Sequence, residues 1–211
     1  MTVIAFVGKP RTGKTLGMTQ LAYTNYRNGH EILANYKLNF PSKSMTVSQM
    51  LQIPFDDVDR HPKTLCIQEA DKIFDSRRSM KEENRLLSGL TGQSGKRNLN
   101  ILYDTQFFTR IDSSLRYVTE YVVSCSCFID DRTKEPIAFQ YTYEDMYDGR
   151  IRKALIPANL LQPFYSMYDT YEATKSLSRK SEIDIDEHIK EELKKDVEPK
   201  KKKNKKEYAR Y

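Results

Sequence analysis

Gly8-Lys9-Pro10-Arg11-Thr12-Gly13-Lys14-Thr15 is the most specific run of chemistry in the chain, a full match to the pattern G-x-x-x-x-G-K-[ST]. A loop of this kind turns backbone N–H groups towards a phosphate chain, lets Lys14 reach the β- and γ-phosphates and offers the Thr15 hydroxyl to Mg²⁺. Gly13 permits the turn, and a helix starting there adds partial positive charge. The expected nucleotide-binding residues are therefore Gly8, Lys9, Pro10, Arg11, Thr12, Gly13, Lys14, Thr15 and Leu16, with Arg11 directed to solvent. Phosphoryl chemistry also needs a carboxylate at the tip of a neighbouring strand. Leu65-Cys66-Ile67-Gln68-Glu69 supplies it in part. Glu69 is the candidate catalytic base, and Gln68 stands where an Asp usually precedes it. An amide accepts a hydrogen bond from metal-bound water but brings no charge. Thr15, Gln68 and Glu69 are thus the expected metal-side residues, with Asp71 able to help. Gln106 follows the apolar run Ile101 to Tyr103, where its amide could sense a γ-phosphate or orient water.

These residues need a scaffold that places strand tips beside a helix start. Val3 to Val7 is a continuous β-branched and aromatic run, the pattern of a strand buried on both faces. Lys14 to Asn28 carries Met18, Leu21, Ala22 and Tyr26 at helical spacing, and Asn28-Gly29 is a helix stop. Further strands are expected over Ile32 to Leu38, Thr64 to Ile67, Leu99 to Tyr103, Tyr121 to Ile129 and Ile137 to Tyr143. Helices are expected over Thr46 to Ile53, Met80 to Leu90 and Ser113 to Glu120. Alternating strands and helices predict an α/β fold with a mostly parallel central sheet flanked by helices, and antiparallel strands at an edge.

Composition excludes several other classes. The chain has 211 residues with a net charge of +6, 38% hydrophobic residues, 14 Tyr and 9 Phe, so most of it can build a core. Lys190 to Tyr211 alone carries +5, leaving +1 for the other 189 residues, which excludes a generally basic nucleic-acid binder. Cys66, Cys125 and Cys127 are too few and too irregularly spaced for a disulfide scaffold or a thiolate metal site, and read as thiols in a reducing compartment. No apolar run approaches the roughly 18 residues of a membrane span, and Met1-Thr2-Val3-Ile4 reads as a strand start rather than a signal peptide. Hydrophobic density falls after Tyr171. The expected organisation is a domain over residues 1–171 and a basic, flexible tail over 172–211, with one helix over Asp186 to Lys195.

The loop at the start of the chain, Leu65 to Glu69 as a Walker B strand, and Ser94-Gly95-Lys96-Arg97-Asn98-Leu99-Asn100-Ile101-Leu102-Tyr103-Asp104-Thr105-Gln106 together resemble the FtsK–HerA group of P-loop ATPases. The resemblance covers residues 1 to 130 and departs at Gln68. Within that group the chain is similar to genome-packaging ATPases of internal-membrane viruses, such as archaeal turreted icosahedral viruses. It is also similar to zonula occludens toxin-like proteins of filamentous phages. The resemblance implies a RecA-like P-loop NTPase fold, ATP and Mg²⁺ as cofactors, and an ATP-hydrolysing motor that moves double-stranded DNA into a capsid. It further implies a homo-oligomeric ring, commonly a hexamer, a capsid or internal-membrane portal component as partner, and work in the host cytoplasm or in association with the virion. Arg97 resembles the finger that completes a neighbour's site, with Arg77, Arg78 and Arg110 as reserves. A morphogenesis or extrusion ATPase and a nucleoside or nucleotide kinase are the alternatives; the loop pattern itself does not specify the base.

Overall fold

The computed structural model describes residues 2–52, 61–78 and 99–169. Val3–Val7 forms β1, with Val3, Ala5 and Phe6 essentially inaccessible to water, as its unbroken apolar run requires. It runs into the Gly8 to Thr15 loop, and helix α1 (Lys14–Arg27) leaves it. β2 (Glu31–Ala34), β3 (Lys43–Ser44), β4 (Lys63–Ile67), β5 (Leu99–Thr105) and β6 (Tyr121–Ile129) complete the parallel part of the sheet. β7 (Pro136–Asp145) and β8 (Ile151–Pro157) add an antiparallel wing. The strand order is β3-β2-β4-β5-β1-β6-β7-β8. β1 pairs in parallel with both β5 and β6, so the strand feeding the glycine loop is central.

Side chains alternating across the sheet build one apolar layer on each face. On one side Val3, Ala5, Leu65, Ile67, Ile101 and Tyr103 pack with Met50, Phe74 and Leu115. On the other, Phe6, Ile32, Cys66, Leu102 and Val123 meet Leu16, Met18 and Ala22 of α1. Each such fully buried side chain contributes about 1.5–3 kcal/mol relative to exposure, far more than the propensity differences that separate helix from strand locally. Packing therefore fixes the elements. Short α2 (Val47–Leu51) is set by local chemistry as well: the Thr46 hydroxyl accepts from the Gln49 N–H, and the Gln49 side chain accepts from the Thr46 N–H.

The expected strands and helices within the described residues are present, with β3 and a short helix over Ala70–Ile73 as additions and with further differences. β2 ends at Ala34 rather than Leu38, because the Asn35 side chain turns to clip the Gln68 backbone, accepting from its N–H (2.7 Å) and donating to its carbonyl (3.1 Å). β5 extends through Asp104 and Thr105, which the sequence reading placed beyond the strand. β8 and helix α5 (Ala158–Tyr165) were not foreseen. Arg152-Lys153 interrupts the apolar pattern of β8, and Pro163 lies inside α5, where proline removes a helix donor. Burial of Leu161 against the α1 face of the sheet overrides that local preference. The remaining helix is α4 (Ser113–Val118), capped by Asp112; short α3 (Ala70–Ile73) follows β4.

The chain divides into a compact unit Met1–Thr174 and a second unit Lys175–Tyr211. The expected helices over Met80 to Leu90 and Asp186 to Lys195, the tail, and Arg97 lie outside the described residues. Among the described residues no helix is long and apolar enough to cross a membrane.

Candidate nucleotide site

The parallel strands β1, β4 and β5 end on the same side of the sheet, and their tips enclose a cleft of about 600 Å³. Gly13, Lys14, Thr15 and Leu16 line it from the loop and the start of α1; Gln68, Glu69 and Asp71 line it from β4, and Asp104, Thr105 and Gln106 from β5. Residues far apart in sequence, expected to act together, are thus brought together. Pro10 and Arg11 also border the cleft, Arg11 as an exposed residue at its rim. Lys9 and Thr12 shape the loop from within: the Lys9 carbonyl accepts from the Thr12 hydroxyl (2.8 Å) and from Lys14 Nζ (2.9 Å). Gly8 must lack a side chain, since a Cβ would lie 2.7 Å from the Cys125 carbonyl oxygen. Gly13 sits at φ +85° in the left-handed region, and a Cβ there would lie 2.5 Å from the Phe139 ring.

Glu69 occupies the tip of β4 in the left-handed region, at φ 55° and ψ 46°. For a non-glycine residue this conformation costs about 1–3 kcal/mol and persists only where surroundings impose it. The constraint is visible: the Glu69 N–H donates to Asp104 Oδ1 at 2.6 Å. Its carboxylate meets Lys72 Nζ at 2.7 Å, and Lys72 is 65% exposed. An exposed pair of this kind is worth about 0–1 kcal/mol, little enough for the carboxylate to exchange partners.

Asp104 is the residue the sequence reading missed. It is 2% exposed, and its second oxygen, Oδ2, accepts from the Thr15 hydroxyl at 2.7 Å. Burial pushes its carboxyl up from the ordinary range, opposed by the bonds from Thr15 and Glu69 and by the nearby Lys14 charge. The signal in the sequence was a lone acid inside the apolar run Leu99 to Thr105, directly before Thr105-Gln106. Gln106 itself is exposed at the cleft edge.

The Thr15 hydroxyl gives its proton to Asp104, which leaves its lone pairs directed away from that carboxylate. Gln68 Oε1 is buried without a hydrogen-bond partner among the described residues. An oxygen donor set of this type fits Mg²⁺, which binds through few protein oxygens and keeps the rest of its shell for water and phosphate. Among the described residues no cluster of three or more His, Cys, Asp or Glu could hold a metal without such help.

Of the reserve arginines, Arg77 is held by Asp75 through paired bonds of 3.0 and 2.8 Å. Arg110 lies over the Phe107 ring, 4.4 Å from its centroid. Neither lines the cleft.

No protein-family model and no curated protein matches the chain. Among solved structures, it is similar to the N-terminal domain of zonular occludens toxin from Neisseria meningitidis, with a TM-score of 0.58 at 14% identity over 80% of this chain and 98% of that one. The genome packaging NTPase B204 from Sulfolobus turreted icosahedral virus 2 gives a TM-score of 0.48 at 9% identity, over 72% of this chain and 96% of that one. A KaiC-like protein from Pyrococcus horikoshii gives 0.48 at 13% identity, over 74% and 84%. The chain has the RecA-like P-loop NTPase fold, with a mostly parallel sheet, flanking helices and antiparallel strands at one edge.

Proposed function

We propose that the chain hydrolyses ATP and uses the free energy to move double-stranded DNA, as the motor that packages a viral genome into a capsid. The observation that carries the hydrolytic part is the linked site itself: Thr15 and Glu69 are bound to the two oxygens of one buried carboxylate, at the mouth of a complete phosphate loop. In this reading the loop N–H groups and the start of α1 bind the phosphates, and Lys14 moves from the Lys9 carbonyl to the β- and γ-phosphates. Glu69 accepts a proton as the oxygen of water attacks the γ-phosphorus and the bond to the ADP oxygen breaks. Gln106 orients that water from the neighbouring strand. Thr15, with Asp104 behind it, and Gln68 across the cleft would hold Mg²⁺, which when bound neutralises phosphate charge.

The DNA-motor part is supported by the sequence resemblance and by the arginines. Among the described residues Arg11 is the arginine at the cleft, while Arg77 is committed to Asp75. A finger supplied by the next subunit of a ring, for which Arg97 is the candidate, would complete the site. A capsid or portal component is then the docking partner and the host cytoplasm the place of action. The lysine run over residues 200–206 would tether DNA or an acidic surface electrostatically.

Phosphate release measured with and without double-stranded DNA, alongside oligomeric mass, tests this reading. DNA-stimulated turnover by an oligomer is expected. Inactive Arg97→Ala and Lys14→Ala subunits should regain activity when mixed in one ring. Turnover indifferent to DNA would favour the second reading, a filamentous-phage-type morphogenesis ATPase, to which the sequence resemblance also extends. Transfer of phosphate to an added nucleoside would make the chain a kinase instead.

A further inference from the structure

Position 68, where the sequence pattern calls for an acid, holds a neutral amide, while an unforeseen acid is buried one strand away. The strand order explains how one can serve for the other. β5 lies between β1, which feeds the phosphate loop, and β4, which feeds Glu69. Asp104 pairs in register with Phe6 of β1, and the preceding Tyr103 pairs with Ile67 of β4. Neighbouring strands are about 4.8 Å apart, so a carboxylate on β5 is one strand from each loop, whereas position 68 is two strands, roughly 10 Å, from the strand that feeds Thr15. Asp104 uses that placement fully, one oxygen on the Thr15 hydroxyl and the other on the Glu69 N–H. Gln68 lines the same cleft from the tip of β4, its backbone clipped at both N–H and carbonyl by Asn35 beyond β2 and its Oε1 without a hydrogen-bond partner among the described residues.

We infer that Asp104 is the positioning carboxylate of this site, fixing at once the cation-facing hydroxyl of Thr15 and the backbone of Glu69, while Gln68 supplies only a neutral acceptor. The inference rests on the ATP-hydrolysis reading above. Its chemical core is the direction of one hydrogen bond. An ionised Asp104 can only accept, so Thr15 must donate to it and turn its lone pairs towards a cation. An asparagine in its place preserves shape but can present its NH₂ to Thr15, which reverses the bond and points the hydroxyl proton at the cation instead. The acceptor for Glu69 is kept, so the two functions separate.

The test is the affinity of the full chain for ATPγS, measured by calorimetry in Mg²⁺ and again in EDTA. Asp104→Asn should lose about 10–100-fold of the Mg²⁺-dependent gain, the usual cost of removing a partner that orients a metal ligand, with its affinity in EDTA unchanged. Gln68→Leu should lose less than Asp104→Asn. An intact Mg²⁺ gain in Asp104→Asn, or a larger loss in Gln68→Leu, overturns the inference. If Asp104→Asn shows no cooperative thermal unfolding, Thr15→Ser and Thr15→Val answer the same question. The serine should keep the gain and the valine lose it, and equal behaviour overturns the inference. The underlying reading fails separately: Lys14→Ala binding ATPγS as tightly as the parent would remove the phosphate loop from the site, and the inference with it.

Discussion

The two flanks of the central strand obey different rules. Towards β4 and β5, side chains are buried on both faces, and the one acid admitted there, Asp104, has both oxygens bonded. Towards β7 and β8, the sheet leaves Ile137, Ile151 and Leu155 between 55% and 62% exposed. The parallel flank therefore tolerates almost no change at its tips, where an unpaired buried charge costs several kcal/mol. The wing has slack except where it touches the loop. There Phe139 and Tyr141 press against Gly13 and Gly17, and the Tyr141 hydroxyl donates to the Gly13 carbonyl at 3.1 Å. The wing buttresses the phosphate loop through two aromatic rings.

Substitutions should expose that contrast, with the largest effects at the strand tips. Lys14→Ala should reduce phosphate release by at least about 10²-fold, the order set by losing one preorganised electrostatic contact; parent-like turnover would remove Lys14 from the chemistry. Glu69→Gln should lower turnover by roughly 10²–10⁴ while ATPγS still binds by calorimetry. Loss of binding would make Glu69 a ligand rather than a base.

On the wing side the effects should appear as stability. A Cβ at Gly17 would lie 2.6 Å from Tyr141 Cε1, so Gly17→Ala should destabilise by about 1–3 kcal/mol in denaturant unfolding. Tyr141→Leu should relieve part of that loss, giving a non-additive pair; strict additivity would mean that the ring does not press on α1. Tyr141→Phe, which removes only the bond to Gly13, should cost about 0.5–1.5 kcal/mol.

The smallest effect concerns the thiols. Burial pushes the Cys125 thiol up to about 12 and Cys66 higher still, while Cys127 is raised but only partly buried. Raised values mean that the reactive thiolate is scarce at neutral pH and grows only as pH rises. Cys127 should therefore be alkylated first in the native protein, with Cys66 and Cys125 following unfolding. Labelling of Cys125 at the rate of Cys127 would show that the pairing of β6 with β7 opens readily.

Much of the candidate nucleotide site was legible before folding, because its signals are local. Gly8 to Thr15 lies on consecutive residues, bounded by a buried run and a helical repeat, and the structure keeps that strand-loop-helix unit. Glu69 was legible as an acid closing a short apolar strand. Asp104 was not, since an acid at the end of an apolar run reads locally as the start of a loop. What makes it a buried strand residue is the hydroxyl of Thr15 and the N–H of Glu69, 89 and 35 residues away. β8 and α5 were missed for a related reason: their basic pair and their proline argue against regular structure, and only pairing with β7 and burial of Leu161 outweigh that.

The sequence by itself determined the phosphate loop, the alternation of strands and helices, and the identity of the acids available, since backbone conformation at glycine and hydrophobic periodicity act over a few residues. Only the tertiary structure decided which acid serves the loop. Parallel strands are joined by crossovers, so the strands lying beside β1 are β5 and β6, both distant in sequence. That adjacency places Asp104 against Thr15 and Glu69, and a desolvated carboxylate is stable there only because both partners are present.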